Sequence, residues 1–71
     1  MQRTPVESSQ IASVGFDKAG GILEVEFNNS AVYQYSGVTE DQYRELMSAA
    51  SPGKYLNANI KNINPYVRIE V

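Results

Sequence analysis

The stretch SPGKYLNANIK, from Ser51 to Lys61, holds the residues of this 71-residue chain that come closest to a chemical motif. Ser51 and Lys54 have the spacing S-x-x-K, which in some hydrolases sets a serine nucleophile beside a lysine. Gly53-Lys54 also resembles part of a phosphate-binding loop. The segment therefore poses a choice between catalysis, ligand binding and a plain helix start.

The residue types of this segment fit the start of a helix better than a catalytic or phosphate-binding site. Ser51 is a favourable N-cap and Pro52 a favourable first helical residue, so we predict that a second helix begins here. The Ser51 hydroxyl would then accept a hydrogen bond from the backbone N–H of Gly53 or Lys54 and would not be free to attack. A phosphate loop needs G-x-x-x-x-G-K-[ST], but Tyr55 follows the lysine. We therefore predict that the chain is not an enzyme.

A helix also sorts the rest of the stretch into two faces, because successive residues are about 100° apart. Three aliphatic residues fall on the side that we assign to the core: Leu56, Ile60 and Ile63. Lys54 and Lys61 fall on the opposite, solvent-facing side, with Asn57 beside them and Tyr55 on the flank.

Charge is distributed unevenly along the chain, although the net charge is only −2. Residues 1–47 hold seven acids and three bases, whereas residues 48–71 hold one acid and three bases. An anionic partner should therefore meet the C-terminal third. An aromatic ring beside Lys and Arg can stack on a base while the cations neutralise phosphate. We accordingly predict six nucleic-acid-binding residues: Lys54, Tyr55, Asn57, Lys61, Tyr66 and Arg68.

The composition excludes several other kinds of site. The chain has no cysteine and no histidine, which removes disulfides, thiolate chemistry and the commonest metal ligand and general base. Glu24 and Glu26 share a strand face, but two solvated carboxylates hold a cation weakly, so we predict no metal site and no cofactor. No apolar run approaches the roughly 20 residues of a membrane span. We expect a cytoplasmic domain with no membrane partner and no small-molecule substrate.

Alternating apolar residues and turn residues predict a meander of three antiparallel strands. The strands are Ile11–Phe16, with a bulge near Gly15, then Ile22–Phe27, and then Val32–Tyr35. A capping box from Thr39 to Gln42 predicts the start of the first helix. Its apolar stripe follows at helical spacing: Tyr43, Leu46, Met47 and Ala50.

The turn between the second and third strands decides where Tyr33 and Tyr35 point. A three-residue turn (residues 28–30) places both rings on the apolar face, with their hydroxyls near the rim. A two-residue turn instead places Gln34 in the core and both tyrosines on the acidic face. An unpaired buried amide costs about 1–3 kcal/mol, so we favour the three-residue turn. That turn demands a left-handed residue at its third position, which Ser30 fills poorly.

The predicted fold class is α+β: a three-stranded antiparallel meander followed by two helices packed on one face. In the tail from Asn64 to Val71, aliphatic residues alternate with aromatic or charged ones. We therefore expect a short extended segment that pairs with a sheet edge or packs on the second helix. Residues 1–71 form a single domain, of which residues 1–8 are expected to be flexible.

Four segments, in this order and spacing, resemble the KTSC domain: VESSQIASVGFD (Val6–Asp17), LEVEF (Leu23–Phe27), VYQYSGV (Val32–Val38) and SPGKYLNANIKNINPY (Ser51–Tyr66). That family takes its name from the C-terminus of some lysyl-tRNA synthetases. Its most specific marks here are Y-x-Y at Tyr33 and Tyr35, which we expect to be mainly structural, and G-K-Y-x-N from Gly53 to Asn57. The resemblance implies a small bacterial or phage domain, and the synthetase context suggests RNA binding.

Two functions are compatible with these features, and both are non-catalytic. The first is a protein-interaction adaptor or homodimerising module, in which the tail or the Ile11–Phe16 strand accepts a partner strand at a sheet edge. The alternative is a weak RNA- or tRNA-binding domain that uses the C-terminal Lys, Arg and Tyr residues.

Overall fold

Five antiparallel strands form one sheet in chain order in the computed structural model, which describes residues 1–69. The strands are β1 (Thr4–Pro5), β2 (Ile11–Asp17), β3 (Ile22–Phe27), β4 (Val32–Tyr35) and β5 (Tyr66–Ile69). The helices are α1 (Glu40–Ser48) and α2 (Pro52–Leu56), and a π-helical segment (Asn57–Lys61) continues α2. The predicted α+β class is confirmed, but the predicted number of strands is wrong.

The two additional strands lie at the edges of the predicted meander. β5 pairs antiparallel with β4, so the tail joins a sheet edge, one of its two predicted placements. The predicted tail also included Glu70 and Val71, which lie outside the described residues. β1 pairs with β2 and falls within the first eight residues.

The bulge in β2 lies at a different place from the predicted one. The register with β3 shifts between Ile11 and Ser13, and Gly15 pairs regularly with Glu24. The need for glycine at position 15 comes instead from the N-terminal segment, which packs against β2. A Cβ atom at Gly15 would lie 2.6 Å from the backbone oxygen of Gln2, so only glycine allows this segment to approach β2.

The three-residue turn between β3 and β4 is confirmed. Tyr33 pairs with Val25, Tyr35 pairs with Leu23, and the Phe27 N–H donates to the Ala31 oxygen at 2.8 Å. Ser30 takes the left-handed conformation that this turn demands, with φ of 73°. The Asn29 side chain accepts a hydrogen bond from the Ala31 N–H at 3.1 Å, which closes the turn locally and helps Ser30 to adopt it.

The helices cover one face of the sheet, which we call the inner face; the opposite face is the outer face. The core between them consists of nine buried residues: Ile11, Val14, Leu23, Val25, Tyr35, Val38, Leu46, Leu56 and Ile60. Lys54 and Lys61 are exposed, so the predicted sorting of these cations from Leu56 and Ile60 is confirmed. Neither helix of residues 1–69 is long and apolar enough to cross a lipid bilayer.

The first helix begins at the predicted position but ends at Ser48, before the last residue of the predicted apolar stripe. Thr39 and Gln42 form the capping box, and Leu46 is buried. The Tyr43 ring stacks on Phe16 with centroids 4.9 Å apart. Ala50 is exposed beyond the end of the helix, so its assignment to the packed stripe is wrong.

Two predictions about the second helix are also wrong. Ser51 occupies the N-cap position, but its hydroxyl makes no capping bond. The ψ angle of Ser51 is 94°, whereas that of the capping Thr39 is 159°. This backbone rotation keeps the Ser51 hydroxyl away from the first N–H groups of α2. Ile63 is 71% exposed, because the π-helical segment ends at Lys61 and leaves Ile63 in the following turn.

Candidate functional site

An open groove of about 550 Å³ lies on the inner side of the molecule, beside the end of the sheet that carries the β3–β4 turn. Its walls come from the Ser9–Gln10 segment, that turn, the π-helical segment and β5. Ten residues line it: Ser9, Gln10, Phe27, Asn28, Asn29, Ala31, Tyr33, Asn57, Lys61 and Tyr66. We call this feature the groove.

Three aromatic rings from three adjacent strands contribute to the groove. Tyr33 and Tyr66 are almost parallel, with ring centroids 5.2 Å apart and an interplanar angle of 3°. Phe27 meets Tyr33 edge-on at 5.5 Å. Tyr66 is 53% exposed, because it starts the edge strand, so part of its ring surface is open to a further planar group.

The polar part of the lining carries amides and a cation. Asn57 and Lys61 project from the π-helical segment, four residues apart. Gln10 lies against Gly53 of α2, where a Cβ atom would come within 2.6 Å of its Oε1. Among residues 1–69, the side chains of Gln10 and Asn57 hydrogen-bond no other side chain or backbone group, so both remain available to a ligand.

The electrostatic character of the groove follows from which charges reach it. Lys61 lines it, and among residues 1–69 no Asp or Glu does. Arg68 pairs with Tyr33 across β4 and β5, so it lies on the inner face next to the aromatic rings. Neither cation forms an ion pair within residues 1–69. The groove is therefore suited to a ligand that combines planar groups with negative charge.

The chain matches the KTSC domain model over residues 7–66. It belongs to the KTSC domain family. A crystal structure of a KTSC domain protein from Yersinia pestis superposes with a TM-score of 0.94 at 39% identity, covering 97% of each chain. An uncharacterised protein of Stutzerimonas stutzeri is 38% identical over 61 residues, 86% of each chain. A protein of Tsukamurella paurometabola is 39% identical over 57 residues, 80% of this chain and 85% of its own.

This KTSC domain brings together four of the six residues that the sequence singled out for nucleic-acid binding. Asn57, Lys61 and Tyr66 line the groove, and Arg68 lies beside it. Lys54 is exposed but does not line the groove. Sequence reasoning missed the other contributors to the lining, of which the most important are Gln10, Phe27 and Asn28. The sequence feature that could have pointed to them is the three-residue turn after Phe27. Its length places Asn28 and Asn29 at the same end of the sheet as Tyr33.

Tyr55 has a structural partner in this KTSC domain. Its hydroxyl donates to Glu45 Oε1 at 2.9 Å and so ties α2 to α1. Burial, followed by the hydrogen bond to the Glu45 carboxylate, raises the pKa of the Tyr55 hydroxyl. The ring lies outside the groove lining.

The two tyrosines of the Y-x-Y mark have different environments. Tyr33 is half-buried and lines the groove, whereas Tyr35 is completely buried. The Tyr35 hydroxyl has no hydrogen-bond partner among residues 1–69, so the expectation of a hydroxyl at the rim is wrong for this residue. Burial, with the neighbouring Tyr33 and Tyr66, raises the pKa of Tyr35 to about 12.

The outer face carries a hydrogen-bonded network that engages both strand carboxylates. Arg3 Nη1 donates to Glu24 Oε2 at 2.6 Å, and Gln34 Nε2 donates to Glu24 Oε1 at 2.9 Å. Ser13 Oγ donates to Glu26 Oε1 at 2.9 Å. Burial alone would raise the pKa of Glu24, but the hydrogen bonds from Gln34 and Arg3 and the Arg3 charge together lower it. These carboxylates therefore stabilise the sheet through protein donors.

Proposed function

We propose that this KTSC domain is a non-enzymatic binding domain whose groove takes a short single-stranded RNA segment. The observation that carries the proposal is the parallel Tyr33–Tyr66 pair beside Lys61, in a groove whose lining holds no Asp or Glu from the part of the chain that the structure describes. Single-stranded nucleic acids are commonly held by aromatic rings that stack on bases and by cations that meet phosphates.

The stacking contribution comes from the exposed ring surface of Tyr66. A base that stacks on an aromatic side chain contributes about 1–3 kcal/mol. The amides of Gln10 and Asn57 line the same groove and supply donors and acceptors to base edges. This combination favours an unpaired base over a duplex, whose base faces are already stacked.

The phosphate contribution comes from Lys61 and Arg68. If both meet phosphates, the logarithm of the binding constant should fall with the logarithm of salt with a slope of about −1.4. Affinity would then drop about sevenfold between about 50 and 200 mM salt. Such a modest dependence agrees with a chain whose net charge is −2. The choice of RNA over DNA comes from the synthetase context of the family, so a DNA oligonucleotide of the same sequence is the appropriate comparison.

The proposal of a non-enzymatic role is supported by the surroundings of the S-x-x-K pair. Ser51 and Lys54 are both exposed, and neither lines the groove. A serine nucleophile needs a base held beside it and donors that stabilise the developing oxyanion. An exposed Lys54 and an exposed Ser51 have no enclosed site in which to provide these.

Paired charge reversals test the RNA proposal. Lys61→Glu and Lys54→Glu change the net charge equally and alter exposed residues of the same helical run, but only Lys61 lines the groove. We expect Lys61→Glu to abolish binding to a short single-stranded RNA of mixed sequence at low salt, measured by fluorescence anisotropy, and Lys54→Glu to retain most of it. Equal losses for the two variants, or no binding by the unmutated chain, would contradict the proposal.

A protein-interaction role has support from a separate observation. β5 is an edge strand, and Tyr66 and Val67 on it are 53% and 59% exposed. The other predicted acceptor, the Ile11–Phe16 strand, lies inside the sheet between β1 and β3, so it offers no free edge where β1 pairs with it. An adaptor or homodimer would therefore use β5.

A further inference from the structure

We propose that two copies of this chain pair antiparallel through β5, with Val67 opposite Val67 of the second copy on a two-fold axis. This inference goes beyond RNA binding and does not depend on it. The two edges of the sheet differ in what they offer a partner. β1 has two residues, one of which is Pro5 with no N–H to donate, whereas β5 has four residues and no proline.

The hydrogen-bond pattern between β4 and β5 fixes which backbone groups are free. The Ser36 N–H donates to the Pro65 oxygen at 2.9 Å, which makes Ser36–Pro65 a hydrogen-bonded pair. Hydrogen-bonded and non-bonded pairs alternate along an antiparallel ladder. Val67, two residues after Pro65, therefore bonds to β4, whereas the N–H and C=O of Tyr66 and Arg68 point toward the free edge.

These outward groups select the register of the pairing. With Val67 on the two-fold axis, Tyr66 of each copy lies opposite Arg68 of the other. Both are residues whose backbone groups point outward, so the two pairs form four backbone hydrogen bonds. Val67 then forms a non-hydrogen-bonded pair, in which Cα atoms approach to about 4.5 Å and side chains pack most closely.

The side chains favour the same register. Each Arg68 guanidinium lies beside the ring of Tyr66 from the other copy, an attractive cation–π arrangement, and two exposed valines cover one another. A register centred on Arg68 would place like charges directly opposite, which is destabilising. A register centred on Tyr66 would carry Arg68 past the strand, opposite Asn64. Of these three registers, the one centred on Val67 satisfies the backbone groups, the charges and the apolar surface together.

The pairing would join two sheets into one with ten strands. Antiparallel pairing around this axis keeps the inner faces on the same side, so the Tyr66 rings of the two grooves become neighbours at the centre. The two cations Lys61 and Arg68 of each copy would then flank a surface twice as long.

Cysteine cross-linking tests the register directly, because the chain has no cysteine of its own. Val67→Cys should form an intermolecular disulfide under mild oxidation, since a separation of about 4.5 Å lies within the range that a disulfide spans. Arg68→Cys is the matched control. In the proposed register it faces Tyr66, and the two introduced cysteines are too far apart to bridge. Equal cross-linking of both variants, or of neither, would overturn the register.

A second measurement keeps the inference testable without oxidation. The unmutated chain should show a concentration-dependent dimer in analytical ultracentrifugation. Val67→Lys should abolish the dimer, because it places two ammonium groups together on the axis. Ile63→Lys alters another exposed apolar residue away from this edge and should leave the dimer intact. A chain that remains monomeric up to millimolar concentration, or a dimer that survives Val67→Lys with the fold intact, would overturn the inference. RNA binding by a monomer would leave the proposed function standing.

Discussion

Replacing Tyr35 by phenylalanine removes one oxygen atom from the core, and we expect the change to stabilise the fold. Tyr35 is completely buried, and its hydroxyl has no hydrogen-bond partner among residues 1–69. Leaving a buried polar group unpaired costs about 1–3 kcal/mol. Phenylalanine keeps the ring that packs beside Tyr33 and Tyr66. The free energy of unfolding at neutral pH should therefore rise by about 1–3 kcal/mol.

The same substitution should change the response to alkali. The pKa of Tyr35 is about 12 in the folded chain, against an ordinary value of 10.0. Above pH 10 the unfolded chain loses this proton while the folded chain keeps it. The titration of Tyr35 therefore leaves the free energy of unfolding unchanged below pH 10 and lowers it as pH rises toward 12, by about 1.4 kcal/mol per pH unit. Tyr35→Phe should lack this part of the decline.

Urea denaturation at neutral pH and across the alkaline range measures both effects. Tyr33→Phe is the matched control: it removes the same atom from a half-buried ring that lines the groove, and should change stability by less than about 0.5 kcal/mol. If Tyr35→Phe lowers stability at neutral pH, the hydroxyl has a partner, such as a buried water, and the reasoning is wrong.

Three further substitutions test other contacts. Gly15→Ala should lower the free energy of unfolding by about 1–3 kcal/mol, because its Cβ would meet the Gln2 backbone oxygen at 2.6 Å; unchanged thermal stability would contradict this close approach. Arg3→Ala should cost about 1–2 kcal/mol at neutral pH, because Glu24 loses a charged donor. Since the pKa of Glu24 is lowered, this cost should vanish as acid protonates the carboxyl, and a cost that is constant with pH would argue against the ion pair. Tyr66→Ala should weaken RNA binding about 5- to 140-fold by loss of stacking, whereas Tyr66→Phe should retain it; equal affinities of both variants would argue against stacking.

Much of the fold could be predicted because local rules decide it. The β3–β4 register follows from turn length and from the cost of burying Gln34, and the start of α1 follows from its capping box. The prediction failed where tertiary contacts take over. Ile63 fits a regular helix, but the π-helical segment ends before it. A glycine at position 15 is compatible with a bulge, but here it makes room for the N-terminal segment that packs against β2. The periodicity of the sequence does not predict that contact.

The groove could be predicted only in part, for a related reason. Asn57 and Lys61 follow from helical spacing, because they lie on one continuous segment. Tyr66 reaches the same place only because β5 joins the sheet next to β4. Gln10 comes from a part of the chain with no pattern of its own, and it reaches the groove through packing against Gly53. Residues brought together by topology leave no periodic signal in the sequence.

Amide chemical-shift mapping of the isotope-labelled domain with a short single-stranded RNA tests RNA binding in the groove most directly. We expect the largest shift changes on residues of the groove lining, among them Asn28, Tyr33, Lys61 and Tyr66, and we expect these changes to diminish as salt is raised. Shift changes confined to the outer face, around Glu26 and Gln34, or no changes at low salt, would contradict it.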